Sequence, residues 1–273
     1  MKKNFLYFTG LFFLCWCQGL CQQKNDEVNF QVGSGAQLKD PNLSDSIFFS
    51  LEEALKVPLR VSELSLEGKK LLKFPAAILT FKNLHTLNIS YNRIDSIPAS
   101  LFERCRKLHT LQYAGNGLTK LPVTIFHPAL KVLDVSENNL TVIPDGVSKC
   151  SQLEELDLHS NLLTAYPSSS FVLKALKSLI LSGNPVTTIG PWVMNQPALK
   201  ILFIDNTKID NLPEGICNMN ALRFLTIEED NIKELPSCFC EVKKLKVLMV
   251  SGSALPNERL KSLQDCLPEL QIR

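Results

Sequence analysis

Histidines and cysteines are the residues of this sequence whose types and spacing could do chemistry. His85 and His109 hold the same position in successive repeated segments, so we expect them to lie side by side. A metal ion held by this pair would need further ligands, and no carboxylate or cysteine of the two segments completes such a site. We therefore interpret the two residues as solvated histidines.

The cysteines suggest a structural role. Cys238-Phe239-Cys240 has one residue between its thiols, where zinc and redox motifs have two. Cys217 and Cys240 are 23 residues apart and occupy the same slot of successive segments. Their Cα atoms should then lie about one strand spacing apart, which a disulfide permits. The alternatives are a Cys217–Cys240 disulfide and two buried free thiols.

Motifs of catalysis are missing from the sequence. It contains no glycine-rich phosphate loop, no H-E-x-x-H and no G-x-S-x-G. We predict that the protein is not an enzyme and that it needs no cofactor and no metal ion.

The elements that would position any site are repeats of one length. Apolar heads recur every 22 to 24 residues, and each opens a segment of the form L-x-x-L-x-L-x-x-N-x-L-x-x-L-P. Such a period indicates one supersecondary unit stacked many times. The heads are Val61, Leu84, Leu108, Leu130, Leu153, Leu176, Leu199, Leu222 and Leu245.

Within a segment, the fourth and sixth residues are apolar and alternate with polar ones, as in a short strand with one buried face. The proline that usually follows favours a return path outside the sheet. The ninth residue is an asparagine in five segments, and its amide can both donate and accept hydrogen bonds in a ladder along the stack. Thr207, Asp230 and Ser253 replace it later, so the ladder should weaken toward the C-terminus.

This pattern, as in LHTLNISYNRIDSIPASL and LKVLDVSENNLTVIPDGV, resembles the leucine-rich-repeat family over residues 61–255. The flanks LEEALKVPLRVSELSLEG and RLKSLQDCLPELQIR are similar to those of exported bacterial members. The resemblance implies an α/β solenoid, a leucine-rich-repeat horseshoe with a parallel concave β-sheet and short helical caps at both ends. It also implies protein recognition, with a ligand that differs from member to member.

The ends of such a stack need covers, because no single unit can close its own core. Ser50 and Glu53 have capping-box spacing and should open a helix in an N-terminal cap over residues 44–60. Asn257 should cap a helix in a C-terminal cap over residues 256–273, followed by a strand-like tail.

The N-terminus has the layout of a secretory signal peptide over residues 1–19, and a polar segment over 20–43 suggests a flexible tether. A membrane span would need about 20 apolar residues, and this run is shorter. Cleavage after Gly19 competes with lipid attachment at Cys21 or Cys17. We expect an exported protein located outside the cell, in the periplasm or on the outer cell surface, with a lipid anchor at Cys21 as the alternative to release.

The charge of the chain gives no reason to expect nucleic acid or anionic lipid as a partner. Removal of Lys2 and Lys3 leaves 27 basic against 27 acidic residues. The partner we expect is a protein of a host or of the cell envelope.

The outward strand positions indicate where that partner would bind. They are polar in the early segments, acidic in the middle ones, and apolar from the sixth segment onward, where a contiguous exposed patch would mark an interaction site. The predicted partner-binding residues are Ile180, Ile201, Phe203, Phe224, Val247 and Met249, ringed by Asp205 and Glu228. Three alternatives stay open for the patch: cover by the protein's own tail or tether, a homodimer contact, and β-propensity alone. The acidic strip is a weaker candidate for calcium or a basic partner.

These observations predict a non-catalytic binding module that recognises a macromolecule through its concave face, in an adhesin-like or host-interacting role. The alternative is an envelope scaffold that self-associates and has no host ligand.

Overall fold

The computed structural model describes residues 46–164 and 171–273, so the predicted signal peptide and tether lie outside the described residues. Eleven strands in the described part form one parallel sheet, in which the order of the strands follows the order of the chain. They are β1 Ile47–Phe48, β2 Glu63–Ser65, β3 Thr86–Asn88, β4 Thr110–Gln112, β5 Val132–Asp134, β6 Glu155–Asp157, β7 Ser178–Ile180, β8 Ile201–Phe203, β9 Phe224–Thr226, β10 Val247–Met249 and β11 Gln271–Ile272. The predicted solenoid with a parallel sheet is confirmed.

The register of the sheet follows the repeat. The central leucine of each strand from β2 to β10 pairs with the central leucine of the next, beginning with Leu64 and Leu87 and ending with Leu225 and Leu248. These leucines are almost fully buried, whereas the residues beside them point to the opposite face. Every unit therefore presents two side chains on the concave face of the sheet, and the other face of the sheet packs on the core.

Each strand is short because the chain turns two or three residues after it. The eighth residue of the unit has a left-handed backbone in every unit, with φ between 50° and 70°. Glycine adopts this conformation without strain, but in five units a residue with a side chain takes it. The five are Tyr91, Glu137, Ser160, Asn206 and Glu229.

The returning segments on the far side of the core are mostly 3₁₀ helices. Each begins directly after a proline, whose fixed φ and ψ of 107–149° give the chain an extended entry to the helix. The 3₁₀ helices are Ala76–Thr80, Val123–Ile125, Asp145–Lys149, Glu214–Asn218 and Ser237–Glu241. Two units have a four-residue α-helix in this place, α2 Leu101–Arg104 and α3 Pro191–Met194. Trp192 in α3 is fully buried and stacks on Phe171 at 5.3 Å between ring centroids.

The predicted asparagine ladder is present from Asn92 to Asn184. At Asn138, the amide nitrogen donates to the carbonyl oxygens of Tyr113, Val135 and Ser136 at 2.8–3.1 Å. Its side-chain oxygen accepts from the backbone N–H of Leu118 at 3.0 Å. A buried amide thus satisfies backbone groups of its own turn and of the preceding unit, which joins the two units.

Helices lie at both ends of the described stack. Helix α1, Leu51–Lys56, begins after Ser50, whose hydroxyl accepts from the backbone N–H of Glu53. Helix α4 spans Asn257–Cys266, and Pro256 occupies the cap position that we expected for Asn257. The fixed φ of proline accounts for this shift of one residue, since it sets the chain in an extended entry to the helix. Strand β11 follows α4 and pairs with β10.

Among the described residues, none of the helices has the length and apolar character that crossing a bilayer requires.

Candidate functional site

The concave face carries a polar network over β5 and β6. Asp134 and Asp157 are neighbours in register, and Asp157 accepts hydrogen bonds from the backbone N–H of His159 at 3.0 Å and from its ring Nδ1 at 2.8 Å. On the other side of the ring, Nε2 lies 3.7 Å from Glu137 Oε1. The same Glu137 oxygen accepts a 2.9 Å hydrogen bond from the hydroxyl of Tyr91.

The carboxylates decide the protonation of His159. Burial by itself lowers the pKa of this imidazole, but the charge and hydrogen bond of Asp157, together with Glu137 and Asp134, raise it to about 10. Burial and the charge of Asp157 raise the pKa of Asp134 above its usual range. The network is therefore an imidazolium held among carboxylates, and the hydroxyls of Tyr91 and Ser136 donate to two of these carboxylates.

Tyr91 and Glu137 meet across an intervening unit. Both have the left-handed backbone of the turn that follows the strand, and the unit between them has Gly115 in that place. A Cβ atom at Gly115 would lie 2.5 Å from the Tyr91 ring, so the missing side chain is what lets the ring pass. Tyr91 was not among the residues predicted from the sequence, although the recurrence of non-glycine residues at the turn position is a signal that points to it.

Four of the predicted partner-binding residues are not exposed. Ile180, Ile201, Phe203 and Met249 lie on the expected face but are only 5–7% exposed. Phe224 and Val247 are partly exposed. The prediction of an exposed patch is therefore wrong for the first four. Large side chains on strands about 4.8 Å apart pack flank to flank, so each neighbour in register removes surface from the next.

Asp205 and Glu228 lie beside these apolar side chains. Asp205 accepts hydrogen bonds from the Ser182 hydroxyl and from the backbone N–H of Glu228, both at 3.0 Å. Burial raises the pKa of Asp205 in spite of these donors. Burial, followed by the charges of Asp205 and Glu229, raises the pKa of Glu228 to about 7.

Both alternatives expected for Cys217 and Cys240, a disulfide between them and two buried free thiols, are wrong. Cys217 bonds to Cys238, and Cys240 bonds to Cys266 in α4, with Cα atoms 5.9 and 5.7 Å apart. A 3₁₀ helix has three residues per turn, so Cys238 and Cys240 point in different directions from the same helix. One thiol faces the preceding unit and the other faces the C-terminal helix.

His85 and His109 do lie side by side, with ring centroids 5.6 Å apart. Burial is the largest cause that lowers the pKa of each. The charge of Lys107 lowers the pKa of His85 further, and the charges of His85 and Lys131 lower that of His109. Within the ranges that the structure describes, no three His, Cys, Asp or Glu side chains are grouped so as to hold a metal ion.

Models of leucine-rich repeats match more than half of the 273 residues. The model described as "Leucine-rich repeat region" matches residues 192–273. Two further models of leucine-rich repeats match residues 106–163 and 128–186, and residues 83–105. No curated protein matches the sequence.

Solved structures of three kinds of protein share the fold. A leucine-rich-repeat protein of Leptospira interrogans has a TM-score of 0.63 and 23% identity, over 78% of this chain and 61% of its own. The plant peptide hormone receptor RGFR1 in complex with RGF2 has a TM-score of 0.62 and 25% identity, over 78% of this chain and 34% of its own. An internalin from Listeria monocytogenes has a TM-score of 0.60 and 15% identity, over 82% of this chain and 70% of its own. This chain thus spans less than two thirds of the first two structures.

Proposed function

Because this chain is a leucine-rich-repeat protein, we propose that it is an exported, non-catalytic module that binds a protein partner through the concave face of its sheet. An adhesin-like or host-interacting role is the form of this function that the resemblance to exported bacterial members favours. Leucine-rich-repeat domains generally mediate contacts between proteins, and the proposal applies that role to this chain.

The observation that carries the proposal is a change of chemistry along the concave face. The central residues of the strands form the core on the other side of the sheet, so the fold does not require any particular side chain on this face. Even so, the face has an imidazolium among carboxylates over β5 and β6, and large apolar side chains over β7 to β10. Charged and apolar areas side by side are typical of a surface that recognises another protein.

The contact residues we propose differ from those expected from the sequence. The buried Ile180, Ile201 and Phe203 form a floor, and a partner would touch the partly exposed Phe224 and Val247 first. A partner with apolar side chains toward the C-terminal strands and a basic group toward β6 would match both areas.

Two further facts support an exported binding protein. Disulfides form and persist in oxidising compartments, and the described part of this chain has two. The similar plant structure is a receptor in complex with a peptide hormone, so a solenoid of this kind binds a ligand in at least one protein of comparable fold.

Photo-crosslinking tests the proposal. The cells that produce the protein would carry a photoreactive amino acid in place of Phe224, and they would be mixed with candidate target cells. Illumination should then crosslink position 224 to a different protein. The same amino acid at Val123, an apolar residue that is 63% exposed in a 3₁₀ helix outside the sheet, is the matched control and should give none.

Other outcomes separate the alternatives. Crosslinks at position 224 between two copies of the chain, with light scattering that shows a dimer broken by Phe224→Asp, would favour the self-associating envelope scaffold. Equal crosslinking at the two positions would reject the concave face as the binding surface.

A further inference from the structure

The ladder position of the repeat has a defined hydrogen-bonding task. In five units, from Asn92 to Asn184, the amide nitrogen donates to the carbonyls of the residues three and two positions earlier and to one carbonyl of the preceding unit. At Asn184 these acceptors are Leu181, Ser182 and Leu158, at 2.8–3.3 Å. The site therefore requires a hydrogen-bond donor.

Asp230 occupies this position near the C-terminus, and its side chain has an oxygen where the asparagines have their nitrogen. Its Oδ1 accepts from the backbone N–H of Thr207 at 2.7 Å and from the Thr207 hydroxyl at 2.9 Å. Its Oδ2 is buried and has no hydrogen-bond partner among the described residues, and the residue is only 3% exposed. By the geometry of the other five units, the acceptors facing Oδ2 would be the carbonyls of Ile227 and Glu228 and, in the preceding unit, that of Ile204.

We propose that Asp230 makes the stability of the C-terminal units depend on pH. These units pack tightly on one another when its carboxyl is protonated, and their packing loosens when the carboxyl is ionised. The protonated carboxyl donates from Oδ2 to a carbonyl and so replaces the amide of the ladder. The ionised carboxylate cannot donate, and it brings a buried negative charge against carbonyl oxygens. This device goes beyond partner binding, since it regulates the stability of the units that carry the apolar area.

The groups around Asp230 favour its protonated form. Asp205 approaches from the preceding unit, and Glu228 and Glu229 lie on the same turn as Asp230. All three of these neighbours are acidic. The following unit presents Ser251, Gly252 and Ser253, none of which titrates. Lys233 on the same unit and Lys208 on the preceding unit are exposed, and Arg223 at the start of the unit is partly exposed.

The pH range of the device follows from its titration. Burial raises the pKa of Asp230 to about 6; the two Thr207 hydrogen bonds oppose the shift and the charge of Asp205 adds to it. An unfolded aspartate has a pKa of about 3.9. A pKa that is higher in the folded state stabilises the folded state fully below the unfolded pKa, and this stabilisation is lost as the pH rises through about 6.

Asp230→Asn in the full chain is the direct test, because it supplies the donor at every pH. We expect the thermal midpoints of the two proteins to be similar near pH 4, and the variant to be higher by about 4–8 °C at pH 7.5. Hydrogen exchange should place the difference in β9 to β11. Asp134→Asn is the matched control, since it removes another buried acid with a raised pKa but should leave exchange in β9 to β11 unchanged.

Three results would overturn the proposal. The first is a constant difference between the wild type and Asp230→Asn from pH 4 to pH 8. The second, which does not need the variant to fold, is an NMR titration of the wild-type Asp230 carboxyl carbon with its midpoint near the ordinary aspartate value. The third is stabilisation of the wild type against thermal unfolding by millimolar Ca²⁺ at pH 7.5, with no such stabilisation of Asp230→Asn. This result would assign Oδ2 to a metal ion.

Discussion

The units with strands β3 to β7 and those with β8 to β11 share one sheet and one core, but they are held together differently. In the first group, a buried asparagine joins each unit to the preceding one, and the two cysteines Cys105 and Cys150 are free and buried. In the second group, Thr207 and Asp230 take the place of the asparagine, and two disulfides join successive segments. The concave face changes in the same region, from polar and acidic side chains to apolar ones.

This difference shows that a repeat stack can hold its units together by more than one chemistry. The stability of such a stack is approximately a sum over units and their interfaces, so a change at one interface acts mainly on its neighbours. Amide ladders respond weakly to pH and to redox conditions, whereas disulfides respond to redox conditions and a buried carboxyl responds to pH. We therefore expect the two groups to react differently to the same change of conditions.

Loss of the disulfides should have the largest effect. Replacement of Cys238 and Cys266 by serine opens both bonds, which close loops with sequence separations of 21 and 26 residues. A loop of this size contributes about 3 kcal/mol per bond. Hydrogen exchange should become faster in β9 to β11 and stay unchanged in β3 to β6.

A matched control uses the cysteines that form no bond. Cys105→Ala with Cys150→Ala should leave the response to a reducing agent as it is in the wild type. Equal loss of protection in both groups of units would show that the stack unfolds as one body and that the comparison fails.

Asn138→Ala should have the next largest effect. It removes three hydrogen bonds to carbonyl oxygens, each of which keeps another donor, and it leaves the N–H of Leu118 without its buried partner. We expect a loss of about 3 kcal/mol in the free energy of unfolding. Thr207→Ala is the comparison in the other group of units, and its loss should be about 1 kcal/mol, because that side chain makes fewer ladder contacts. Denaturant unfolding measures both, and losses of equal size would contradict the proposed difference between the groups.

His159→Gln should have a smaller effect than Asn138→Ala, and this effect should have a distinct pH range. The folded pKa of about 10 exceeds the ordinary value of 6.5, so the stabilisation is complete below 6.5 and is lost as the pH rises through about 10. We expect the variant to lose about 2 kcal/mol at pH 7 and less at pH 10. Thermal unfolding at pH 6, 8 and 10 measures this, and a loss that does not vary with pH would show that the imidazole is neutral in the folded protein.

The fold was predictable in detail because its rules are local. The alternation of Leu87 and Ile89 with polar neighbours predicts a strand, and the asparagine at the ninth position predicts the ladder that the hydrogen bonds of Asn138 confirm. Ser50 predicts the start of α1 for the same reason, since capping depends on residues three apart in sequence.

The candidate site was predictable only in part. The sequence predicts which side chains share the concave face, because register and alternation decide this. It does not predict that Ile201 and Phe203 are buried there, because exposure depends on everything that packs around a side chain. Nor does it predict the bond from Tyr91 to Glu137, which joins residues two units apart across Gly115.

The sequence by itself determined the repeat, the strand register and the identity of the core, because each of these depends on spacing along the chain. The tertiary structure alone decided which of Cys238 and Cys240 bonds to Cys217, which carboxylates surround His159, and that Asp230 Oδ2 is buried without a donor. These features depend on the direction of a side chain and on the solvent left around it, and neither is encoded in the period of a repeat.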